Sequence, residues 1–262
     1  MVSDPALRSP ATHPSGFAPP TDVGSVSLAA LLRAYDVPRA PRTDRPWVLC
    51  NIVASLDGRT AVFGRVGTLS TPTDQTLFHH LRGLSDAIMV GAATVRAERY
   101  GPPRVTPELV AERQARGQTT EPRLCIVSRS LQLDAAQDVL MRTGARPIVL
   151  TCDAAPPSRV LDLAPHAEMI SAGTDSVDLQ RGQAALRRHG VRTVVCEGGP
   201  TLNAELLQLG LVDELCLTIA PFLGGDPLGL FERGSAPLQR ARIVHALSVD
   251  GSIFVRALID TL

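Results

Sequence analysis

From Trp47 onward, short apolar runs alternate with stretches whose apolar residues recur every three or four positions. The short runs predict strands at Trp47–Ala54, Ala87–Val90, Leu124–Val127, Pro147–Thr151, Thr193–Cys196, Asp213–Ala220 and Ser252–Ala257. The helical spacing predicts helices at Thr73–Leu84, Pro107–Arg116, Val177–His189 and Thr201–Leu209. Strand then helix, several times over, is the pattern of an α/β domain with a largely parallel sheet. The last two strands follow one another without a helix, which predicts an antiparallel sheet edge.

Upstream, Leu28, Leu31, Leu32 and Tyr35 fall at i, i+3, i+4 and i+7, a short amphipathic helix with Ser25 or Ser27 as its cap. Pro38, Pro41 and Pro46 then make a stiff linker. Residues 1–25, rich in Pro, Ser, Thr and Ala, neither alternate nor repeat and read as a disordered arm. The expected division is therefore an arm at 1–25, a helix and linker at 26–45, and one domain at 46–262.

Composition narrows the function classes. A chain of 262 residues buries enough surface to fold without disulfide or metal. Its 26 basic and 26 acidic residues cancel, so no global field holds nucleic acid or an anionic membrane. Every basic residue counted is Arg, which removes a lysine Schiff base and the lysine of a Walker loop. The five cysteines are widely spaced, odd in number and form no CxxC pair; they read as small buried hydrophobes of a reducing compartment. No signal-peptide pattern and no apolar run near the length of a membrane span is present, so the expectation is a cytoplasmic protein. The histidines, His79-His80 included, lack metal-ligand spacing and read as structural or surface residues, with no metal site. Asp213-Glu214 reads as the surface start of a strand.

Four segments carry chemistry. Ala87–Val90 runs into Gly91 and then a polar, N-cap-like Thr94; Thr193–Cys196 runs into Glu197-Gly198-Gly199, Pro200 and Thr201 at a helix start. Glycines let a ligand approach backbone N–H groups, and a helix start favours phosphate, so the two turns suit the two sides of a dinucleotide's pyrophosphate. Either is also an ordinary strand–helix turn, though the acid and double glycine of the second serve no simple packing need. No GxGxxG accompanies them, so this is not the standard dinucleotide fingerprint. In the third segment, alternation sets Asn51, Val53 and Ser55 on one strand face, where two polar residues suggest a pocket wall ahead of an Asp57-Gly58 turn. In the fourth, Ser128 and Arg129 follow the Leu124–Val127 strand, a setting that suits a phosphate monoester and equally suits a solvated loop.

Together, Asn51–Arg59, Ala87–Thr94, Glu197–Thr201 and the run from Leu211 to Gly225 resemble the riboflavin-pathway pyrimidine reductases, over about residues 45–260. The stretches Gln114–Gln118 and Ile126–Ser130 resemble a stand-alone actinobacterial-type subgroup, and the zinc deaminase often fused to the reductase is absent from this sequence. The resemblance implies a dihydrofolate-reductase-like α/β fold: a mostly parallel central sheet, helices on both faces and an antiparallel edge. It implies NADPH-dependent reduction of 5-amino-6-(5-phosphoribosylamino)uracil to the ribitylamino product by a homodimer. By the same analogy Gly91, Thr94, Gly198, Gly199, Pro200 and Thr201 hold the cofactor, with Ser128 and Arg129 on its 2′-phosphate. Asn51, Ser55 and Asp74 line the substrate side, and Glu197 and Asp57 serve catalysis. Two departures stand out: Asn51 replaces the Lys of bacterial fused reductases, and Ala97–Pro102 replaces an Asp-Asp-Pro segment that grips the ribose phosphate. Two other readings remain: reduction of another pterin or pyrimidine such as dihydrofolate, or NADPH binding without turnover.

Overall fold

The computed structural model describes residues 23–65, 67–98, 100–103, 105–134, 140, 145–231 and 238–260. Its frame is a ten-stranded sheet. The strands are β1 (Val23–Ser25), β2 (Trp47–Ser55), β3 (Ala87–Gly91), β4 (Arg123–Val127), β5 (Ile148–Thr151), β6 (Glu168–Ser171), β7 (Thr193–Cys196), β8 (Glu214–Ala220), β9 (Arg240–Val249) and β10 (Ser252–Asp260). They lie in the order β1-β9-β10-β8-β2-β7-β3-β4-β5-β6. Every neighbouring pair is parallel except the two that β10 makes, with β8 and with β9. The expected mostly parallel sheet is present. The expected antiparallel edge is formed toward one margin by β10, which pairs antiparallel with β8 and β9, and β1 adds to β9 beyond it.

The helices are α1 (Leu28–Tyr35), α2 (Pro72–Leu84), α3 (Ala92–Ala97), α4 (Pro107–Ala115), α5 (Pro157–Leu163), α6 (Leu179–Arg188) and α7 (Pro200–Gln208). One sheet face, carrying Leu49, Ile88, Val90 and Ile126, packs against Leu31 and Tyr35 of α1, Leu77 and Leu81 of α2, and Leu163 of α5. The other, with Val48, Cys50, Met89 and Val194, receives Leu179 and Leu186 of α6 and Leu202 and Leu206 of α7. Continuous apolar runs such as Val48-Leu49-Cys50 follow from this cover on both faces. All five cysteines are buried and free within it.

Three expectations near the N-terminus change. Residues 1–22 of the expected arm lie outside the described residues, but Val23–Ser25 forms β1, paired in parallel with Ala246–Ser248 of β9. Helix α1, capped by Ser27, sinks Leu31 and Tyr35 into the main core rather than standing apart. The proline-rich linker is pinned: Arg39 pairs with Glu214, and Arg42 and Arg45 pair with Asp213. Asp213 and Glu214 are accordingly buried, 1% and 0% exposed, not at the surface. The guanidinium groups offset the cost of burying these two carboxylates.

Arg113 of α4 is fully buried and donates to the carbonyls of Gly83, Ser85 and Thr119, closing the C-terminal end of α2. Burial pushes its pKa down to about 10. We expect Arg113→Met to lower stability by about 2–3 kcal/mol, because it strands those carbonyls without donors. A denaturant melt monitored by circular dichroism measures this.

Candidate functional site

The two glycine turns meet at the carboxyl ends of β3 and β7. The Gly91 N–H donates to the Gly198 carbonyl at 2.7 Å, and the Gly198–Gly199 peptide bond is cis. A Cβ on Gly199 would lie 2.9 Å from the Thr94 Oγ1, and one on Gly198, whose φ is +87°, would lie 3.1 Å from the Asn203 Nδ2. Gly198 thus sits in the left-handed region that favours glycine, and a Cβ at Gly199 would displace the Thr94 hydroxyl. Gly91 caps α3 and Gly199 caps α7, and neither cap offers a side-chain acceptor to the helix N–H groups. By contrast α1, α2, α4 and α6 are capped by Ser27, Thr71, Thr106 and Asp178. Two helix starts without a side-chain cap therefore come together, with Pro200 and Thr201 opening α7. Thr94, expected at an N-cap, stands inside α3, since Gly91 takes the cap.

On β2, Asn51, Val53 and Ser55 face α2. Asn51 is half-buried, and its amide has no partner among the described residues. Strand register sets Cys50 beside Cys196 of β7 and Asn51 beside Cys216 of β8, so Glu197 follows on the Asn51 side of the sheet. The Glu197 side chain is 2% exposed and fully engaged. Arg82 of α2 donates Nε to one oxygen at 2.6 Å and Nη2 to the other at 2.7 Å, and the Tyr100 hydroxyl donates at 2.6 Å. The guanidinium also stacks 4.1 Å from the Phe78 ring. Burial and the Glu197 charge push the Tyr100 phenol well above its usual range. Arg82 is raised despite its burial, because the carboxylate faces it. With both oxygens occupied, the Glu197 carboxyl group is held in one orientation by Arg82 and Tyr100.

Asp57 sits in the turn after β2. Its Oδ1 accepts from the Ser55 hydroxyl at 2.6 Å and from the Gly224 N–H at 3.0 Å, and Arg59 lies 3.5 Å from Oδ2. The Ser55 hydrogen bond, then the Gly224 one, lowers its pKa. A cleft of about 480 Å3 lies between this turn and the start of α7, lined by Asp57, Arg59, Pro200, Leu228 and Phe231 among others. The opposite wall belongs to the segment after β8, which returns over the Asp57 turn. Leu56 N–H donates to Phe222, Thr60 to Leu228, and Asp226 to Ala61.

Asp74, in the first turn of α2, is buried and accepts from Ser70 at 2.5 Å and from Thr218 of β8. Ser128 follows β4, but its hydroxyl accepts from the Leu131 N–H. Arg129 beside it is exposed, with no partner among the described residues. The structure thus brings Gly91, Thr94, Gly198, Gly199 and Pro200 into one cradle and sets Asn51 and Glu197 on one wall. Arg82 and Tyr100 are partners that sequence reasoning missed. Tyr100 lies in the departing Ala97–Pro102 segment, and only the fold brings Arg82 to it.

A nine-stranded unidirectional array with one reversed strand, helices on both faces and a double-glycine turn opening a helix at the strand ends make up an α/β scaffold. The sequence matches the RibD C-terminal domain over residues 46–254, and the chain belongs to that family. It is 34% identical over 204 residues to the 2,5-diamino-6-ribosylamino-4(3H)-pyrimidinone 5′-phosphate reductase of Archaeoglobus fulgidus, covering 76% of this chain and 91% of the relative. It is also 34% identical over 181 residues to the enzyme of that name from Methanothermobacter thermautotrophicus, covering 69% and 80%. Among solved structures, a pyrimidine reductase-like protein of Corynebacterium diphtheriae superposes with a TM-score of 0.77 at 30% identity, covering 84% of this chain and 94% of that one.

Proposed function

We propose that the chain is an NADPH-dependent reductase of the riboflavin pathway, opening and reducing the ribosyl group of a phosphoribosylamino pyrimidine to the ribityl product. The observation that carries this is the meeting of the two uncapped glycine turns beside the Asn51–Glu197 wall, in a chain whose relatives bear the reductase name. The residues fit a dinucleotide: neither Gly198 nor Gly199 carries a Cβ to hold a ligand off the backbone, and neither α3 nor α7 has an N-cap side chain that accepts from its first turn. Gly91, Thr94, Gly198, Gly199, Pro200 and Thr201 would hold the pyrophosphate, and Ser128 and Arg129 the 2′-phosphate. Reduced nicotinamide supplies a hydride when bound. The protein positions the acceptor carbon against it, which is the larger part of catalysis for such a transfer. Glu197, held by Arg82 and Tyr100, sets a negative charge beside a developing cationic imine. Asp57 and Ser55 order the turn that closes the substrate side.

Loss of NADPH absorbance with the phosphoribosylamino pyrimidine, with dihydrofolate run alongside, tests the activity. Turnover of the pyrimidine is expected; turnover of dihydrofolate alone, or of neither, overturns it. Arg129→Ala should weaken NADPH by about tenfold and leave NADH almost unchanged, since only the former carries the phosphate. Equal losses in two titrations would move the 2′-phosphate elsewhere.

No helix among the described residues is long and apolar enough to cross a membrane, and a cytoplasmic setting suits a soluble phosphorylated substrate. We also propose a homodimer. Support comes from the exposed Phe222, Leu223, Leu238, Ile243 and Val244, which lie on β9 and the segment leading to it. Light scattering on the purified chain distinguishes one copy from two.

A further inference from the structure

The arginines packed around the strand ends and the linker are tightly held. Arg82 grips Glu197 at 2.6 Å, Arg39 and Arg256 grip Glu214 at 2.7 and 2.8 Å, and Arg42 and Arg45 grip Asp213 at 2.8 and 2.6 Å. Arg59 differs from all of them. Its side chain is 38% exposed, and its carboxylate contact among the described residues runs from Nε to the Asp57 Oδ2 at 3.5 Å. A charge-assisted N–H···O bond measures about 2.7–2.9 Å. The contact with Asp57 is too long to satisfy the N–H fork of a guanidinium.

The backbone of Arg59 is nevertheless fixed. Its N–H donates to the Ser55 hydroxyl at 2.9 Å, its carbonyl accepts from the Ser55 N–H at 2.8 Å, and Gly58 between them turns with a φ of +80°. This holds the residue in the wall of the cleft of about 480 Å3. Pro227, Leu228, Gly229 and Phe231 give that cleft an apolar side, Pro200 brings in the start of α7, and Asp57 and Arg59 are its charged residues. The Asp57 Oδ1 is already met by the Ser55 hydroxyl and the Gly224 N–H. Arg59 is therefore the cation of the cleft, and apolar walls strengthen its pull on an anion. A guanidinium fork matches the paired oxygens of a phosphate.

We propose that Arg59 is a phosphate-binding residue: its guanidinium closes on a phosphate group seated in the cleft between the Asp57 turn and the start of α7. This rests on the reductase reading above, which brings phosphate to the site from two sources, the dinucleotide and the phosphorylated pyrimidine. The pyrophosphate of the dinucleotide is the expected one, because Pro200 lines the cleft and also belongs to the turn assigned to that group. Arg59 then supplies, from the opposite wall, the full positive charge that the glycine turns lack.

The test titrates NADPH and NADH by fluorescence into the wild-type chain, Arg59→Gln and Arg59→Lys, and measures KM for the phosphoribosylamino pyrimidine and for its dephosphorylated nucleoside. Arg59→Gln should weaken both dinucleotides alike, by about tenfold to a hundredfold, the scale for losing hydrogen bonds to a charged group. Arg129→Ala, by contrast, should affect NADPH alone. The loss in Arg59→Gln should shrink as salt rises. Arg59→Lys keeps the charge without the fork and should recover part of the affinity. A rise confined to the KM of the phosphorylated pyrimidine, absent with the nucleoside, would keep the phosphate-binding role and assign it to the substrate's monoester. Unchanged affinities and KM values in Arg59→Gln overturn the inference. So does a loss that neither salt nor lysine alters, since the arginine then only supports its turn. Both results leave the reductase reading standing, whereas a wild type that binds neither dinucleotide removes the two together.

Discussion

Replacing Glu214 with alanine lowers the stability of the fold by about 3–5 kcal/mol, the cost of stranding buried charges without their partner. Glu214 is 0% exposed and receives Arg39 at 2.7 Å, Arg256 at 2.8 Å and the Trp47 indole N–H at 3.1 Å. It joins the linker, β2 and β10 at one point. Removing its charge leaves two guanidinium groups, both nearly buried, with no counter-ion. Burial opposes the ionised form, but the hydrogen bonds and charge of the two arginines overcome it and bring the pKa down to about 2. The sign of the pH dependence follows. The folded pKa lies below the unfolded one, so the contribution is fully present above about pH 4.5 and is lost as the pH falls toward 2. Its size is of the order of 3 kcal/mol. In denaturant melts from pH 6 down to about pH 3, the gap between wild type and Glu214→Gln should narrow to roughly half, with convergence only nearer pH 2. A variant whose deficit is the same at every pH would mean that packing rather than charge is lost.

Glu197→Gln should retain NADPH binding and lose turnover by about a hundredfold to a thousandfold, the usual scale for removing a preorganised electrostatic partner. Gln keeps the shape and can still accept from Tyr100, so the pocket wall survives while the fixed charge goes. Arg82 loses its bidentate counter-ion, and its position loosens as well. Two further variants separate the charge from its supports. Tyr100→Phe removes one hydrogen bond and leaves the Arg82 pair, so its effect should be about tenfold or less. Arg82→Lys keeps the charge without the two-pronged grip and should fall between the two. Steady-state kinetics with a parallel NADPH titration measure all three. Unchanged turnover in Glu197→Gln would take the carboxylate out of the mechanism.

Much of the scaffold was legible. Strands β2, β3, β4, β5, β7, β8 and β10 each begin and end within a few residues of their apolar runs, because a sheet covered on both faces admits only such runs. The elements that escaped had a physical reason to do so. β9 is exposed over its first half, buries only its last residue and shows no alternation; it turns into β10 through Asp250-Gly251, whose φ angles of +48° and +77° suit that composition. β1 and β6 are sheet margins of three and four residues, too short to show a period. α3 and α5, six and seven residues long, fail for the same reason.

The site divides along the same line. By itself the sequence determined the glycine turns, the Asn51–Ser55 face and the acid before the double glycine, because each is a local matter of backbone freedom or strand alternation. Only the tertiary structure decided which charges meet. Arg82 and Tyr100 reach Glu197 across separations of 115 and 97 residues, and Glu214 is fixed by Arg39 from 175 residues away. The same packing gives Asp213, Glu214 and Glu197 arginine partners, while Asp74 receives two hydroxyls and no cation among the described residues. A carboxylate reads the same in a sequence whether it ends up solvated, ion-paired or held by hydroxyls. What distinguishes the three is the charge brought to it by residues remote in the chain, and that is set when helices and strands close over the sheet.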